Sequence, residues 1–133
     1  MQFGAPLPAG FYDRDPAVVA SELLGAVLRH EDELGAVSGR IVETEAYLGP
    51  HDPASHSAVG RKARCDAQLC DGPAKLCAAV GIDRTLDGTM LTGGSSLTIH
   101  AGVPVPNDEV VVGPRVGISK AVEWPLRFRI GNP

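Results

Sequence analysis

Glycine and proline interrupt this chain too often for long helices to form. The 133 residues include 16 Gly and 11 Pro, and both residue types end or kink helices. The composition therefore predicts short helices and strands joined by many turns, and it argues against a helical bundle. A chain of this length has room for one domain with a modest core, so we assign residues 1–133 to a single domain.

The N-terminal third predicts a helix followed by a hairpin. Asp15 is suited to cap a helix and Pro16 to fill its first position, and Gly25 marks its end. A strand over residues 26–30, an acidic turn and a second strand over residues 36–48 then predict a β-hairpin.

The predicted elements after residue 48 are shorter. Gly72 and Pro73 start a short helix, which Gly81 ends. Four strand candidates follow between clusters of Gly and Pro: residues 97–100, 110–112, 115–118 and 127–130. Together these elements predict an α+β fold with a mainly antiparallel sheet and short flanking helices.

Two carboxylates and a tyrosine lie within the second predicted strand. Side chains alternate between the faces of a strand, so Glu43, Glu45 and Tyr47 share one face, with neighbours roughly 6.5 to 7 Å apart. A strand that only had to be half buried would alternate apolar residues with Thr, Ser or Lys. Two acids and an aromatic ring on one face therefore indicate a functional site.

Charge is distributed unevenly along the chain. The net charge is −4, but residues 1–60 carry three Arg and nine acids, whereas residues 61–133 carry nine Lys or Arg and seven acids. Arg61, Lys62 and Arg64 form a basic cluster, and Lys75 lies near the start of the second predicted helix. These cations are candidates for phosphate contacts, or they form an ordinary solvated face.

The cysteine pattern and the hydropathy indicate a cytoplasmic protein. Cys65, Cys70 and Cys77 are odd in number and form no CxxC pair, which favours reduced thiols over disulfides or a zinc site. No apolar run approaches the roughly 20 residues that a membrane-spanning helix needs. The N-terminus also lacks a basic region leading into an apolar segment, so we expect no membrane association.

Five motifs follow one another in a recognisable order. They are Phe11-Tyr12-Asp13-Arg14-Asp15, Glu22-Leu23-Leu24-Gly25, Gly39 to Pro50 with His56, Gly72-Pro73-Ala74-Lys75-Leu76-Cys77, and Arg115-Val116-Gly117-Ile118 with Glu123-Trp124 and Arg127-Phe128. This order resembles the alkyladenine (3-methyladenine) DNA glycosylase family. The resemblance runs from about Leu7 to Pro133, and residues 43–50 are its most specific part.

The resemblance implies a monofunctional DNA glycosylase of base excision repair. Such an enzyme binds double-stranded DNA, flips an alkylated or deaminated purine into a pocket and hydrolyses its N-glycosidic bond, which leaves an abasic site. The family uses neither a metal nor an organic cofactor.

The resemblance also assigns roles to particular residues. Glu45 would be the general base that activates water for attack at C1′ of the deoxyribose. Tyr47 would stack on the flipped base, and His56 would contact the base or its sugar-phosphate. The main-chain carbonyl of Val116 would be the second holder of the catalytic water.

One segment of the family pattern is missing. In the family, the stretch that matches residues 60–64 leads into several dozen residues with the intercalating tyrosine, a second stacking tyrosine, a pocket Asn and an Arg that helps to hold the water. Here the chain passes from Arg64 to residues 71–75 within a few positions. The chain is therefore shortened relative to the family.

Three alternatives remain open from the sequence. The first is a catalytically impaired or inactive DNA-binding relative of the family. The second is a sugar hydrolase that uses Glu43 and Glu45 as its carboxylate pair. The third is a structural role in which these acids pair with arginines of the sheet, namely Arg40, Arg115 or Arg127.

Overall fold

The structure, a computed structural model, describes residues 2–49, 52–54 and 89–131. These residues form two antiparallel three-stranded sheets and two short helices. The helices are α1 (Ala9–Tyr12) and α2 (Pro16–Glu22), and the strands are β1 (Val27–Asp32), β2 (Gly35–Arg40), β3 (Glu43–Glu45), β4 (Leu97–His100), β5 (Val110–Gly113) and β6 (Arg127–Ile130). The predicted α+β class with mainly antiparallel pairing is confirmed.

Helix α2 begins and ends as its sequence predicts. The Asp15 carboxylate accepts a 2.8 Å hydrogen bond from the Ala17 N–H, and Pro16 is the first helical residue. After the helix, Gly25 adopts φ 87°, where a Cβ would lie 2.4 Å from the Val103 carbonyl oxygen. Only glycine combines this left-handed conformation with such a close backbone approach.

The predicted hairpin is confirmed as the pair β1 and β2. The two strands are antiparallel, and β4 pairs with the other edge of β1. In the connecting turn, the Asp32 carboxylate accepts a 2.8 Å hydrogen bond from the Leu34 N–H. The first sheet therefore has the strand order β2-β1-β4.

The strand predicted over residues 36–48 is two strands in two different sheets. Ile41 still belongs to the first sheet, because its N–H donates to the Ala26 carbonyl at 2.8 Å. The next carbonyl, that of Val42, accepts from the Ile130 N–H at 3.0 Å. The backbone thus changes partners between residues 41 and 42, and β3 pairs with β6 instead of β1.

The second sheet carries the main hydrophobic core. Its strand order is β3-β6-β5, and α2 packs against it, with the Thr44 hydroxyl donating to the Ala20 carbonyl at 2.7 Å. The buried core residues are Ala20, Leu24, Ala46, Leu126, Phe128 and Ile130. The other face of β3, with Glu43 and Glu45, is thereby turned away from this core.

The strand predicted over residues 115–118 is wrong. After β5 the chain runs through bends and turns as far as β6, with positive φ at Gly117 (68°) and Ala121 (49°). No strand forms between β5 and β6, so the segment is a loop, and the Val116 N–H places it beside the end of β3. The neighbouring strand predictions, at residues 97–100, 110–112 and 127–130, are confirmed.

Several predictions fall outside the described residues or are not tested. The helix predicted from Gly72 to Gly81 and the three cysteines lie outside the described ranges. The assignment of residues 1–133 to one domain stays a prediction. Within the described residues, no helix is both long enough and apolar enough to cross a membrane.

Candidate active site

Glu45 is held at the end of β3 by two hydrogen bonds, one to each carboxylate oxygen. The Tyr47 hydroxyl donates to Oε1 at 2.9 Å, and the Val116 backbone N–H donates to Oε2 at 3.0 Å. The side chain is only partly buried. Because a carboxylate offers about four acceptor positions, Glu45 retains the capacity to accept a hydrogen bond from water.

A groove of about 420 Å³ lies beside Glu45 and Tyr47. It is also lined by Tyr12, by Arg14 and by apolar side chains that include Val19 of α2. The volume is within the usual range for sites that bind small organic molecules. The lining thus combines apolar side chains with a carboxylate and an aromatic ring.

Tyr12 also lines this groove, although the sequence did not indicate it as functional. Its hydroxyl is buried and has no hydrogen-bond partner among the described residues. Burial raises the pKa of the Tyr12 hydroxyl, so this group stays protonated and can donate a hydrogen bond.

A buried ion pair lies behind Tyr47. The Arg115 guanidinium donates to both carboxylate oxygens of Asp52: Nη2 lies 2.9 Å from Oδ1, and Nη1 is bonded to Oδ2. Both side chains are fully buried. The Arg115 Cζ lies 4.8 Å from the centroid of the Tyr47 ring. A cation over the face of an aromatic ring at this distance is a cation–π contact.

The partners of Asp52 hold its carboxylate in the ionised form. Besides Arg115, the carboxylate accepts from the backbone N–H groups of Leu48 (3.1 Å) and Ala54 (3.0 Å). The hydrogen bond from Arg115 is the main cause that lowers the pKa of Asp52 to about 2. The same hydrogen bond raises the pKa of Arg115, so the pair is charged at neutral pH.

Glu43 has a different environment from Glu45. Its Oε1 accepts a 2.5 Å hydrogen bond from the Arg127 Nε, and both side chains are partly exposed. The hydrogen bond that Arg127 donates to Glu43 is the main cause that raises the pKa of Arg127. The structural alternative, pairing with an arginine of the sheet, therefore describes Glu43, whereas Glu45 is bonded to Tyr47 and Val116.

The structure brings together three of the predicted site residues. Glu45, Tyr47 and Val116 are in direct contact, although their roles remain predictions. His56 and the four predicted DNA-binding cations, Arg61, Lys62, Arg64 and Lys75, lie outside the described residues. Among the residues that are described, no three His, Cys, Asp or Glu side chains are close enough together to hold a metal ion.

Sequence reasoning missed Asp52 as a partner of the site. A local signal was present, because Asp commonly accepts a hydrogen bond from the N–H two residues later, as Asp52 does from Ala54. The pairing with Arg115 spans 63 residues, and nothing in either local sequence identifies the other partner.

Comparison with known proteins gives a consistent family. The family model described as "Methylpurine-DNA glycosylase (MPG)" matches residues 10–67 and 60–133. Similar curated proteins share the name "Putative 3-methyladenine DNA glycosylase". The Rhodopirellula baltica protein is 31% identical (95% of this chain, 81% of the relative), the Streptomyces avermitilis protein 32% (96% and 88%) and the Carboxydothermus hydrogenoformans protein 30% (95% and 95%).

These comparisons also locate the internal deletion. The alignment with the Rhodopirellula baltica protein covers 188 positions, whereas this chain has 133 residues, so at least 55 positions have no counterpart here. The family model matches in two pieces that meet at residues 60–67, which is where the sequence pattern loses its segment. The chain therefore belongs to the methylpurine-DNA glycosylase family, in a form shortened within its interior.

Proposed function

We propose that this chain is a monofunctional DNA glycosylase that removes an alkylated or deaminated purine from double-stranded DNA by base excision. The observation that carries this proposal is the position of the Glu45 carboxylate, which is held by Tyr47 and Val116 at the edge of a groove. Family membership supports the reaction class, and the two hydrogen bonds to Glu45 support its proposed role.

In the proposed reaction, Glu45 activates the attacking water. Each of its oxygens accepts from one donor, so each retains a further acceptor position for the water. Glu45 takes a proton from this water as the oxygen attacks C1′ of the deoxyribose, and the carbonyl of Val116 is the proposed second acceptor. A general base contributes about 10² to 10⁴-fold to the rate, and the carboxylate also stabilises the developing oxocarbenium charge.

Tyr47 is the proposed stacking partner of the flipped base. Alkylation at N3 or N7 makes a purine cationic and a good leaving group, so it gains a cation–π attraction from an aromatic ring and needs little acid catalysis. Flipping costs a few kcal/mol, which stacking on Tyr47 and contact with the apolar side chains of the groove would offset.

The proposed DNA contacts come from the basic second half of the chain. Arg61, Lys62, Arg64 and Lys75 would bind backbone phosphates, and His56 would contact the base or its sugar-phosphate. Phosphate contacts of this kind make affinity fall steeply as salt rises.

The internal deletion favours a second candidate function, that of a DNA-binding relative with impaired catalysis. At least 55 aligned positions of a similar protein are absent here, and the resemblance places the wedge tyrosine and the second stacking tyrosine in that segment. Each lost base stack weakens binding by about 1 to 3 kcal/mol, so a flipped base would be held less well.

Single-turnover excision separates the two candidates. Duplexes with one 7-methylguanine or hypoxanthine are incubated with excess protein, comparing the unaltered chain with Glu45→Gln and Glu43→Gln. The second variant is the matched control, since it makes the same substitution on the same strand at the acid that pairs with Arg127. We expect Glu45→Gln to slow excision by about 10² to 10⁴-fold and Glu43→Gln to change it by only a few-fold.

Other outcomes of this assay have definite meanings. Background rates for both the unaltered chain and Glu45→Gln overturn the catalytic proposal. If salt-sensitive binding of the duplex persists without excision, the DNA-binding relative is the correct function. Equal losses in both variants show instead that Glu45 has no special role.

A further inference from the structure

We propose that Asp52 and Arg115 form a positioning pair that orients Tyr47 and sets its preference for a cationic over a neutral purine. The inference rests on the function proposed above. It concerns two buried residues that do not contact the reacting atoms and to which the family resemblance assigned no role.

Arg115 is fixed from several directions. In addition to the bidentate bond to Asp52, Nη1 donates to the Ala46 carbonyl at 3.0 Å, and Nη2 lies 3.5 Å from the Ala121 carbonyl. Ala121 has the left-handed φ of 49°, a conformation that is unfavourable for a non-glycine residue. A guanidinium held this firmly provides a rigid support for whatever packs on it.

Arg115 is also linked to the two backbone segments beside Glu45. Ala46, whose carbonyl binds the guanidinium, stands between Glu45 and Tyr47 in the sequence. Val116, whose N–H donates to Glu45, directly follows Arg115. One side chain therefore ties together the two backbone segments that set the direction of the Glu45 carboxylate.

The charge of Arg115 acts on any purine that stacks on Tyr47. Because Arg115 covers one face of the Tyr47 ring at 4.8 Å, a purine has to stack on the opposite face, about 8 Å from the guanidinium. At an effective dielectric constant of about 20, two like unit charges at that distance weaken binding by roughly thirtyfold. The carboxylate of Asp52 offsets this repulsion, so a cationic purine is accepted. The binding of a neutral purine does not depend on the balance between the charges of Arg115 and Asp52.

The test compares one cationic and one neutral lesion in otherwise identical duplexes. Excision of 7-methylguanine and hypoxanthine is measured in single turnovers, and equilibrium binding of the same duplexes is measured in the Glu45→Gln background. We expect Asp52→Asn, which leaves the guanidinium uncompensated, to lower the 7-methylguanine to hypoxanthine ratio at least tenfold. We expect Arg115→Met, which leaves the carboxylate uncompensated, to raise that ratio at least threefold.

The opposite signs are the readout that a merely structural role cannot produce. Loss of packing alone lowers the excision of both lesions equally in each variant and so leaves their ratio unchanged. Unchanged ratios in both variants therefore overturn the proposal. Folding is monitored through Trp124, the single tryptophan, whose ring centroid lies 6.0 Å from the Arg115 Cζ. If Asp52→Asn does not fold, the 7-methylguanine to hypoxanthine ratio of Arg115→Met alone supports or overturns the proposal. Glu31→Gln, which breaks the distant 2.7 Å pair with Arg29, is the control and leaves the ratio unchanged.

Failure of this inference and failure of the proposed function give different results. Excision with ratios that do not respond to either variant refutes the positioning pair and leaves the glycosylase proposal intact. Shifted binding ratios without excision by the unaltered chain support the pair and refute the hydrolysis. Absence of both excision and lesion-selective binding refutes both.

Discussion

Two arginine–carboxylate pairs flank Glu45, and they differ in almost everything except chemistry. The pair of Arg127 with Glu43 joins neighbouring strands through a single hydrogen bond, with side chains 28% and 44% exposed. The pair of Arg115 with Asp52 joins two loops through a bidentate contact at zero exposure. An exposed ion pair replaces hydrating water with the partner and gains little stability. Loss of one member of a buried pair is costly, because it leaves the other charge buried without compensation.

The largest expected effect comes from removing one member of the buried pair. Arg115→Met leaves the Asp52 carboxylate buried with two backbone donors but no counter-charge, and breaking such a pair costs about 3 to 5 kcal/mol. Urea unfolding of the variant and the unaltered chain measures this difference. A loss below about 1 kcal/mol would mean that the pair is far more hydrated in solution than its burial indicates.

Acid should break the buried pair in a characteristic pH range. The folded-state pKa of Asp52 is about 2, below the ordinary value of 3.8, so its contribution to stability is full above about pH 4 and is lost as pH falls toward 2. We therefore expect the free energy of unfolding to fall over this range, and to fall less steeply in Asp52→Asn. Parallel slopes for the two proteins would show that other carboxylates dominate the acid response.

The smallest expected effect comes from the exposed pair. Glu43→Gln should change stability by about 0.2 to 1 kcal/mol, and the coupling between Glu43 and Arg127 in a double-mutant cycle should nearly vanish at about 1 M salt, where the Debye length is about 3 Å. The coupling between Asp52 and Arg115 should survive the same salt. Equal salt sensitivity of the two couplings would remove the contrast between the pairs.

The parts of the fold that could be predicted from the sequence are those determined by local interactions. The cap of α2 depends on Asp15, Pro16 and Ala17, which are adjacent in the chain. The hairpin depends on two neighbouring runs and the turn between them. The exchange of partners between Ile41 and Val42 depends on Ala26 and Ile130, which local sequence does not identify, so one long strand was predicted there.

The candidate site divides in the same way. The alternation in β3 predicts that Glu45 and Tyr47 share a face, which their hydrogen bond agrees with. The contact of Val116 with Glu45 spans 71 residues, and it was anticipated only through the family resemblance. Asp52 was missed because its partner Arg115 is similarly remote and because an Asp that bonds to its own backbone two residues later has an ordinary local explanation.

The exchange of partners at residues 41 and 42 has a consequence for how the molecule opens. Ile41 is hydrogen-bonded to the first sheet and Val42 to the second. Separation of Ile41 from the first sheet therefore strains the hydrogen bond between Val42 and Ile130. In native-state hydrogen exchange, the amides of Ile41 and Ile130 should therefore lose protection in one common event. The connection at residues 41 and 42 would then make the unfolding of the two sheets cooperative, even though each sheet has its own ladder of hydrogen bonds.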